Sequence, residues 1–322
     1  MEPALLTAPL TEVLAEPYGP GTEITDLRRD SGGASRITCS FDAVTPEGER
    51  HPLILRLTTP GTSAGGPLLQ EAGLMRAAAA AGVPTPQVIA AGGEDGPLGA
   101  EFVVMARIEG ETIPRRVLRS PELAAVRPLL AAQCGEILAA IHRIPAGAVP
   151  GLDASDQLGT WQALLEATGR PHPALELAVR RLELQRPPQG RTAVVHGDFR
   201  NGNLVIGPDG VRSVLDWELS HLGDPLEDLG WLCVKAWRFG SPLPVGGFGG
   251  YEQLIGAYEK AADVRVDRDA LRWWEMFGIL KWAVVCVMQA QRHLSGGERS
   301  IELAALGRRV AENEWDLLQM LP

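Results

Sequence analysis

Three polar residues lie in one short stretch of the sequence at a spacing that suits metal-assisted phosphoryl transfer. They are Asp198, Asn203 and Asp216. Carboxylate and amide oxygens are ligands that Mg²⁺ accepts, and Mg²⁺ usually shares its coordination sphere with water and substrate phosphates. A further carboxylate beside such a pair can position an attacking hydroxyl and accept its proton. We therefore predict Asp198 as the catalytic base, and Asn203 and Asp216 as the residues that hold Mg²⁺.

Three short predicted strands would bring these side chains together. Residues 192–195 run into the loop that carries Asp198, whereas residues 204–206 and 211–215 are joined by a Gly-Pro-Asp-Gly turn. If the last two strands pair around this turn, the two predicted metal ligands lie at the same open end of a hairpin, next to that loop. The alternative interpretation is that the three residues only cap turns and end a strand.

The residues around this hairpin resemble those of a known enzyme family. His196, Gly197, Asp198 and Asn203 match the HGDxxxxN signature of the aminoglycoside phosphotransferase and choline-kinase-like families. The chain is more similar still to the kinase-like phosphotransferase subgroup that is also found fused to acyl-CoA dehydrogenases. The segments that carry this closer resemblance are spread over nearly the whole chain: 54–56, 70–71, 105–110, 216–218, 223–226, 228–230 and 255–258.

This resemblance implies an α+β, two-lobed protein-kinase-like fold with ATP in the cleft between the lobes. We predict that residues 1–107 form the N-terminal nucleotide-binding lobe, a small β-sheet with one helix. Residues 108–322 would form a larger, mostly helical catalytic and substrate lobe. The resemblance also implies that Asp224 and Asp228 brace the catalytic loop. His196 is expected to shape the same loop through backbone hydrogen bonds, so we assign it a structural role.

The hydrophobic pattern agrees with that division. Before residue 107, short apolar runs predict strands over residues 37–44, 52–57 and 101–107, and a helix over residues 68–81. After residue 107, helical spacing predicts helices over residues 121–143, 161–168, 173–184, 251–262 and 271–293.

The N-terminal part offers candidates for holding the nucleotide phosphates. Gly32, Gly33 and Ser35 precede a predicted strand, and their backbone N–H groups and hydroxyl could contact phosphate. The next strand should supply a cation, which is a lysine in most kinases, but no lysine precedes Lys235. Arg56 occupies the matching position and is our candidate. The alternative is an ordinary tight turn followed by a solvent-facing arginine.

Two further features complete the predicted nucleotide site. Glu71, on the next predicted helix, would pair with Arg56 and orient its guanidinium toward the phosphates. The strand that ends near residue 107 would act as the hinge, where adenine contacts backbone groups of Met105, Arg107 and Ile108. Glu71 could instead be a surface helix residue, and the hinge an ordinary core strand.

Composition limits the classes of partner and compartment. The 322 residues carry 30 basic and 40 acidic side chains, for a formal net charge of −10. Such an acidic chain argues against nucleic acid or an anionic membrane as the main partner. The four cysteines form no metal-binding pair, and the N-terminus lacks the features of a signal peptide. We therefore expect a cytoplasmic protein without a membrane span.

These features lead to two hypotheses about function. The first is a small-molecule kinase that moves the γ-phosphoryl group of ATP, with Mg²⁺, to a hydroxyl acceptor. That acceptor could be a hydroxyacyl thioester or another apolar hydroxyl compound, as the subgroup suggests, or an aminoglycoside-like compound. The second hypothesis is a catalytically silent nucleotide-binding regulatory protein with a kinase-like fold, which only the arginine at position 56 favours.

Overall fold

The computed structural model describes residues 3–30, 36–58, 67–188 and 190–321. An antiparallel sheet forms the N-terminal part, and most of the chain after it is helical. This arrangement confirms the predicted α+β class. Three predicted nucleotide-binding residues lie outside the described part of the chain: Gly32, Gly33 and Ser35.

The N-terminal sheet has five strands among the residues described, in the order β1-β2-β3-β5-β4. They are β1 (Glu23–Arg29), β2 (Arg36–Val44), β3 (Arg50–Thr58), β4 (Val88–Gly92) and β5 (Phe102–Ala106). Helix α1 (Thr7–Tyr18) precedes the sheet, and α2 (Leu68–Ala80) connects β3 to β4. The predicted hairpin, helix and hinge strand are therefore present as β2, β3, α2 and β5.

The sequence pattern does not predict α1, β1 or β4, although it predicts their neighbours. Strand β1 is mostly exposed and lacks a buried alternation. Helix α1 contains Pro17 and buries only Leu10 and Leu14, so its apolar face is narrow. All five residues of β4 are half-buried. These elements depend on packing against the predicted strands, which a local pattern does not record.

Strand β3 separates the core of the sheet from the cleft. Leu53, Leu55 and Leu57 are at most 1% exposed and belong to the apolar cluster that includes α1. Successive side chains of a strand point to opposite faces. Ile54 and Arg56 consequently face the other side and line a cleft there.

The remainder of the chain contains eight α-helices among the residues described, and four short strands. The helices are α3 (Pro114–Arg119), α4 (Leu130–Ile141), α5 (Gln157–Ala167), α6 (Pro173–Leu184), α7 (Leu226–Cys233), α8 (Tyr251–Ala262), α9 (Arg268–Leu294) and α10 (Ile301–Met320). The strands are β6 (Ala193–Val195), β7 (Leu204–Gly207), β8 (Gly210–Val214) and β9 (His221–Gly223). Strand β6 pairs with β9, and β7 pairs with β8. None of the described helices has the length and apolar character needed to cross a membrane.

One predicted helix, over residues 121–143, is shorter in the structure. Helix α4 begins only at Leu130, after two 3₁₀ turns at Pro121–Leu123 and Arg127–Leu129. Each turn contains a proline. Proline has no N–H to donate, and its ring clashes with the preceding turn inside an α-helix. The helical spacing of apolar residues was therefore correct only from the second proline onward.

Two glycines allow the helices behind the site to pack closely. A methyl group on Gly135 of α4 would lie 2.4 Å from the carbonyl oxygen of Leu254 on α8. A methyl group on Gly230 of α7 would lie 2.7 Å from the backbone nitrogen of Glu275 on α9. Since the backbones approach each other this closely, α7 is held firmly against α9. Helix α7 follows the segment that contains Asp216, and it carries Asp228.

Candidate active site

A two-stranded hairpin presents the two predicted metal ligands. Leu204 pairs with Val214, and the Leu215 N–H donates to the Asn203 carbonyl at 2.8 Å. Asn203 therefore lies at the open end of the hairpin. Asp216 follows Leu215, just beyond the end of the other strand. Both residues line a cleft of about 460 Å³.

The Asp198 carboxylate lies beside this hairpin and accepts hydrogen bonds from three side chains. Asn203 Nδ2 donates to Oδ2 at 2.6 Å, and Trp231 Nε1 donates to Oδ1 at 2.8 Å. Arg200 Nε donates to Oδ1 at 3.0 Å. The side chain of Asp198 is 13% exposed. Two donors from the same loop and one from helix α7 thus fix the orientation of this carboxylate while leaving part of it accessible.

The donor set at the open end of the hairpin suits Mg²⁺. The Asn203 amide nitrogen is used for Asp198, so its oxygen is the atom left to bind a cation. Asp216 has φ 65°, a left-handed conformation that aspartate tolerates, and its side chain is 35% exposed. Within the described part of the chain, no three His, Cys, Asp or Glu side chains cluster as a metal site. An Asn–Asp pair that leaves positions for water and phosphate is instead the kind of site that Mg²⁺ uses.

Asp228, at the start of α7, holds the loop that carries Asp198 by accepting hydrogen bonds from the backbone of that loop. Its two carboxylate oxygens accept the N–H groups of His196 at 2.8 Å and Gly197 at 2.9 Å. His142 on α4 contacts the same carboxylate through Nε2 at 3.1 Å. All four groups are buried. Asp228 therefore anchors the residues that immediately precede Asp198.

His196 connects the same loop to the hairpin. Its Nδ1 accepts the Asp198 N–H at 3.2 Å, so its Nε2 carries the proton and donates to the Leu215 carbonyl at 3.1 Å. Burial lowers the pKa of His196, which agrees with a neutral ring. The structure thus places His196 between the loop and the strand end that carries Asp216.

The described hydrogen bonds of Asp224 lie at the start of α7 and at Gly190. Its carboxylate accepts the Leu226 N–H at 2.9 Å, at the beginning of α7. Burial raises the pKa of this carboxyl group. Asp224 therefore shapes the start of the helix that carries Asp228, and its bracing of the loop stays a prediction.

We expect Asp228→Asn to destabilise the protein by about 3–5 kcal/mol near neutral pH, which is typical of breaking a buried charged pair. Burial opposes the charge of Asp228, but the hydrogen bond and charge of His142 hold its pKa below the usual range. A depressed carboxylate pKa stabilises the fold above the unfolded pKa of about 3.9, and this contribution is lost as the pH falls through the folded pKa.

The difference in free energy of unfolding between wild type and Asp228→Asn should therefore be largest near neutral pH and shrink in acid. Urea unfolding at a series of pH values measures it. A difference that stays constant from neutral pH into acid would contradict this explanation.

Two arginines and one glutamate form a charged cluster on the side of the sheet that faces the cleft. Arg56 on β3 and Arg36 on β2 both form ion pairs with Glu71 on α2. Arg56 Nη2 also lies 3.4 Å from Asp216 Oδ1. The predicted pair of Arg56 and Glu71 is thus brought together beside the hairpin, whereas the contribution of Arg36 is not evident in the sequence pattern.

Glu218 is a second residue that sequence reasoning missed. Its carboxylate lies 3.7 Å from Arg36 and 4.0 Å from Arg56. Burial raises the pKa of Glu218, and the nearby charge of Asp216 acts in the same direction. Position 218 lies two residues after Asp216, so the Asp-Trp-Glu motif was the signal that could have revealed it.

The predicted hinge borders the same cleft. Met105, Arg107 and Ile108 all line it. The Arg107 N–H is already donated to the Pro52 carbonyl at 3.0 Å, and the Arg107 side chain contacts Asp42 at 3.1 Å. Ile108 donates its N–H to no described residue. Ile108 therefore has a backbone N–H that a ligand in the cleft could accept.

Comparison with known proteins gives the family to which this geometry belongs. Residues 26–274 match the phosphotransferase enzyme family, APH. The chain is 33% identical over 191 residues to acyl-CoA dehydrogenase family member 10 of Mus musculus, covering 55% of this chain and 17% of that protein. It is 27% identical over 293 residues to acyl-CoA dehydrogenase family member 11 of Gallus gallus, covering 80% of this chain and 37% of that protein. The chain thus spans well under half the length of these relatives.

The fold also matches a solved structure over almost all of both chains. This is a Ralstonia eutropha protein assigned as an aminoglycoside phosphotransferase, with a TM-score of 0.75 and 24% identity. The match covers 97% of this chain and 98% of that chain. At this identity the likeness establishes the fold, and it confirms the predicted two-lobed, kinase-like architecture. Because the family match extends over well more than half of its residues, the chain belongs to the phosphotransferase enzyme family, APH.

Proposed function

We propose that this protein transfers the γ-phosphoryl group of ATP, with Mg²⁺, to a hydroxyl group of a small molecule. The observation that carries the proposal is the convergence of Asp198, Asn203 and Asp216 at the open end of one hairpin. A carboxylate that three donors orient lies beside two oxygen ligands that border the cleft. This is the arrangement that phosphoryl transfer to an alcohol requires.

Each residue has a separate role in this proposal. Asp198 binds the acceptor hydroxyl and takes its proton, since its partly exposed carboxylate can reach a ligand. Asn203 and Asp216 would hold Mg²⁺, which when bound neutralises charge on the β- and γ-phosphates. Arg56 binds the phosphates, and its ion pair with Glu71 keeps its guanidinium at the cleft. A guanidinium can contact two phosphate oxygens in one plane, which a lysine ammonium does not do.

We propose further that the nucleotide lies between residues 1–107 and residues 108–322. The cleft is lined by residues of both parts, including Met105 and Arg107 from the first and Asn203 and Asp216 from the second. Adenine would contact the hinge, and the phosphates would extend toward Arg56. Gly32, Gly33 and Ser35 stay predicted phosphate contacts.

Among the acceptor classes, the surroundings of Asp198 favour a hydroxyacyl thioester or another apolar hydroxyl compound over an aminoglycoside-like compound. Trp231 donates to this carboxylate, and Trp237 packs against Trp231 with ring centroids 5.1 Å apart. The Arg200 guanidinium lies over Trp237, at 4.6 Å from the ring centroid, and donates to Asp198. A cation beside the catalytic carboxylate would repel a polycationic acceptor.

Acceptor-stimulated release of ADP tests the proposed function. Purified protein is incubated with Mg²⁺ and ATP, and panels of hydroxyacyl thioesters, other hydroxy compounds and aminoglycosides are added one at a time. We expect ADP release to rise with an acceptor from the first two panels, and to stop when Mg²⁺ is removed. ATP binding without acceptor-stimulated ADP release from any panel would instead favour the catalytically silent regulatory protein.

A further inference from the structure

A buried ionic triad lies behind the catalytic loop and takes no part in the proposed chemistry. It consists of Lys281 on α9, Glu227 on α7 and His221 on β9. Lys281 Nζ lies 3.3 Å from Glu227 Oε1, and His221 Nε2 lies 3.0 Å from Glu227 Oε2. The side chains of the three are at most 5% exposed. Burying an ion costs several kcal/mol, and the attraction between the ions must offset this cost.

Lys281 reaches the catalytic loop directly. Its ammonium group donates to the carbonyl oxygen of Gly197 at 2.8 Å. Gly197 has φ +77°, and a methyl group there would lie 2.3 Å from the Leu219 carbonyl oxygen. The loop is therefore packed tightly against the segment that follows Asp216. A shift of the Gly197 carbonyl would move the next residue, Asp198.

Lys281 also reaches the catalytic loop through an aromatic side chain. Its ammonium nitrogen lies 4.8 Å from the ring centroid of Trp231, within the range of a cation–π contact. The N–H of the same indole is donated to Asp198 Oδ1 at 2.8 Å. One buried ammonium group thus contacts both the backbone before Asp198 and the indole that orients its carboxylate.

His221 fixes the other end of the triad. Its Nδ1 lies 2.9 Å from the Leu219 carbonyl, and its Nε2 faces the Glu227 carboxylate. Both neighbours are acceptors, so both ring nitrogens must carry protons and the ring is an imidazolium. Burial opposes this charge, but the charge of Glu227 and the hydrogen bond to it raise the pKa of His221. Glu227 is therefore held between two cations.

From these contacts we propose that Lys281, held by Glu227 and His221, is a positioning residue that sets the location and orientation of the Asp198 carboxylate. The proposal rests on the proposed function, in which that carboxylate receives the acceptor hydroxyl. The triad also contacts the backbone of Leu219, downstream of Asp216. It therefore connects the loop that carries Asp198 to the segment that begins at Asp216. None of its three residues lines the cleft around the hairpin.

The experiment compares Lys281→Met with the double variant Glu227→Gln/Lys281→Met. The single variant leaves the Glu227 carboxylate with one cation fewer. The double variant removes one positive and one negative charge, so the net charge is unchanged and the Gln oxygen can still accept from His221. Lys260→Met, which removes an exposed lysine on α8, is the matched control.

We expect both Lys281 variants to lower kcat by about 100-fold, which is the typical cost of misplacing a reacting group by about 1 Å. The Kd for ATP should stay within about two-fold of wild type, because this positioning acts on the acceptor side of the site. The control should match wild type in both quantities. The proposal would be overturned if the double variant had the kcat of wild type. It would also be overturned if the double variant lost ATP affinity by the same factor as kcat.

A second measurement does not depend on turnover. Indole N–H signals of the eight tryptophans are recorded by ¹H–¹⁵N correlation NMR, and the Trp231→Phe variant assigns the signal of Trp231. In both Lys281 variants this signal should shift, while the Lys260→Met spectrum stays like wild type. If wild type shows no acceptor-stimulated turnover, the proposed function fails, and this signal still tests the link from Lys281 to Trp231. A Trp231 signal that does not move in either variant refutes that link.

Discussion

Replacing Asp198 with alanine should lower kcat by about 10²–10⁴-fold, the usual contribution of a general base. The affinity for ATP should change little. Asp198 contacts Asn203, Arg200 and Trp231, and it is not among the residues that line the cleft. Steady-state kinetics with an active acceptor, combined with calorimetric titration of ATP, separates the two quantities.

Asp198→Asn is the matched variant for this prediction. Alanine leaves the Trp231 indole and the Arg200 guanidinium without their acceptor, so part of its effect could come from rearrangement. Asparagine keeps the size of the side chain and one oxygen that can accept from these donors, but it cannot take a proton at neutral pH. We expect its kcat to fall nearly as far. If Asp198→Asn turned over at the rate of wild type, the role of a base would be assigned to the wrong residue.

The second large effect concerns Asp216 and the metal. A ligand at about 100 times its Kd stabilises the native state by about 2.7 kcal/mol. Wild type with ATP and Mg²⁺ should therefore unfold at a clearly higher temperature than wild type with ATP alone. Replacement of Asp216 should abolish the part of this increase that depends on Mg²⁺, because the variant lacks the carboxylate that is proposed to hold the metal with Asn203.

The choice of substitution at position 216 matters because of the backbone. Asp216 has φ 65°, and asparagine tolerates this left-handed conformation better than alanine. Asp216→Asn is therefore the cleaner variant, since it removes the charge and preserves the turn. Its unfolding temperature without ligand serves as the reference. If Mg²⁺ and ATP raised the unfolding temperature of Asp216→Asn as much as that of wild type, the metal would be held elsewhere.

The hairpin of the site could be predicted because its information is local. The Gly-Pro-Asp-Gly turn determines which strands pair, and pairing brings Asn203 and Asp216 to one end. Position 56 could be predicted in the same way, because the alternation of Leu55 and Leu57 with Arg56 reports which face of the strand is buried. In each case the relevant residues lie within a few positions of one another.

The surroundings of Asp198 could not be predicted, because they depend on contacts between distant parts of the chain. Trp231 lies 33 positions from the carboxylate that it contacts, and Lys281 lies 84 positions from Gly197. A tryptophan on a helix predicts a core residue whether or not its indole N–H meets a carboxylate. Arg36 was missed for the same reason, since its partner Glu71 is 35 positions away. The packing of α7 and α9 behind the loop reveals Trp231 and Lys281, and the packing of α2 against the sheet reveals Arg36.

The arginine at position 56 determines which chemical reagents could detect the proposed nucleotide site. The three lysines of the chain are Lys235, Lys260 and Lys281, and none of them lines the cleft. Nucleotide analogues that acylate an amine beside the phosphates would find no amine there. A guanidinium stays protonated under all ordinary conditions and does not react in its place. If the protein binds ATP as proposed, surveys that identify kinases by the labelling of a phosphate-site lysine would therefore miss it.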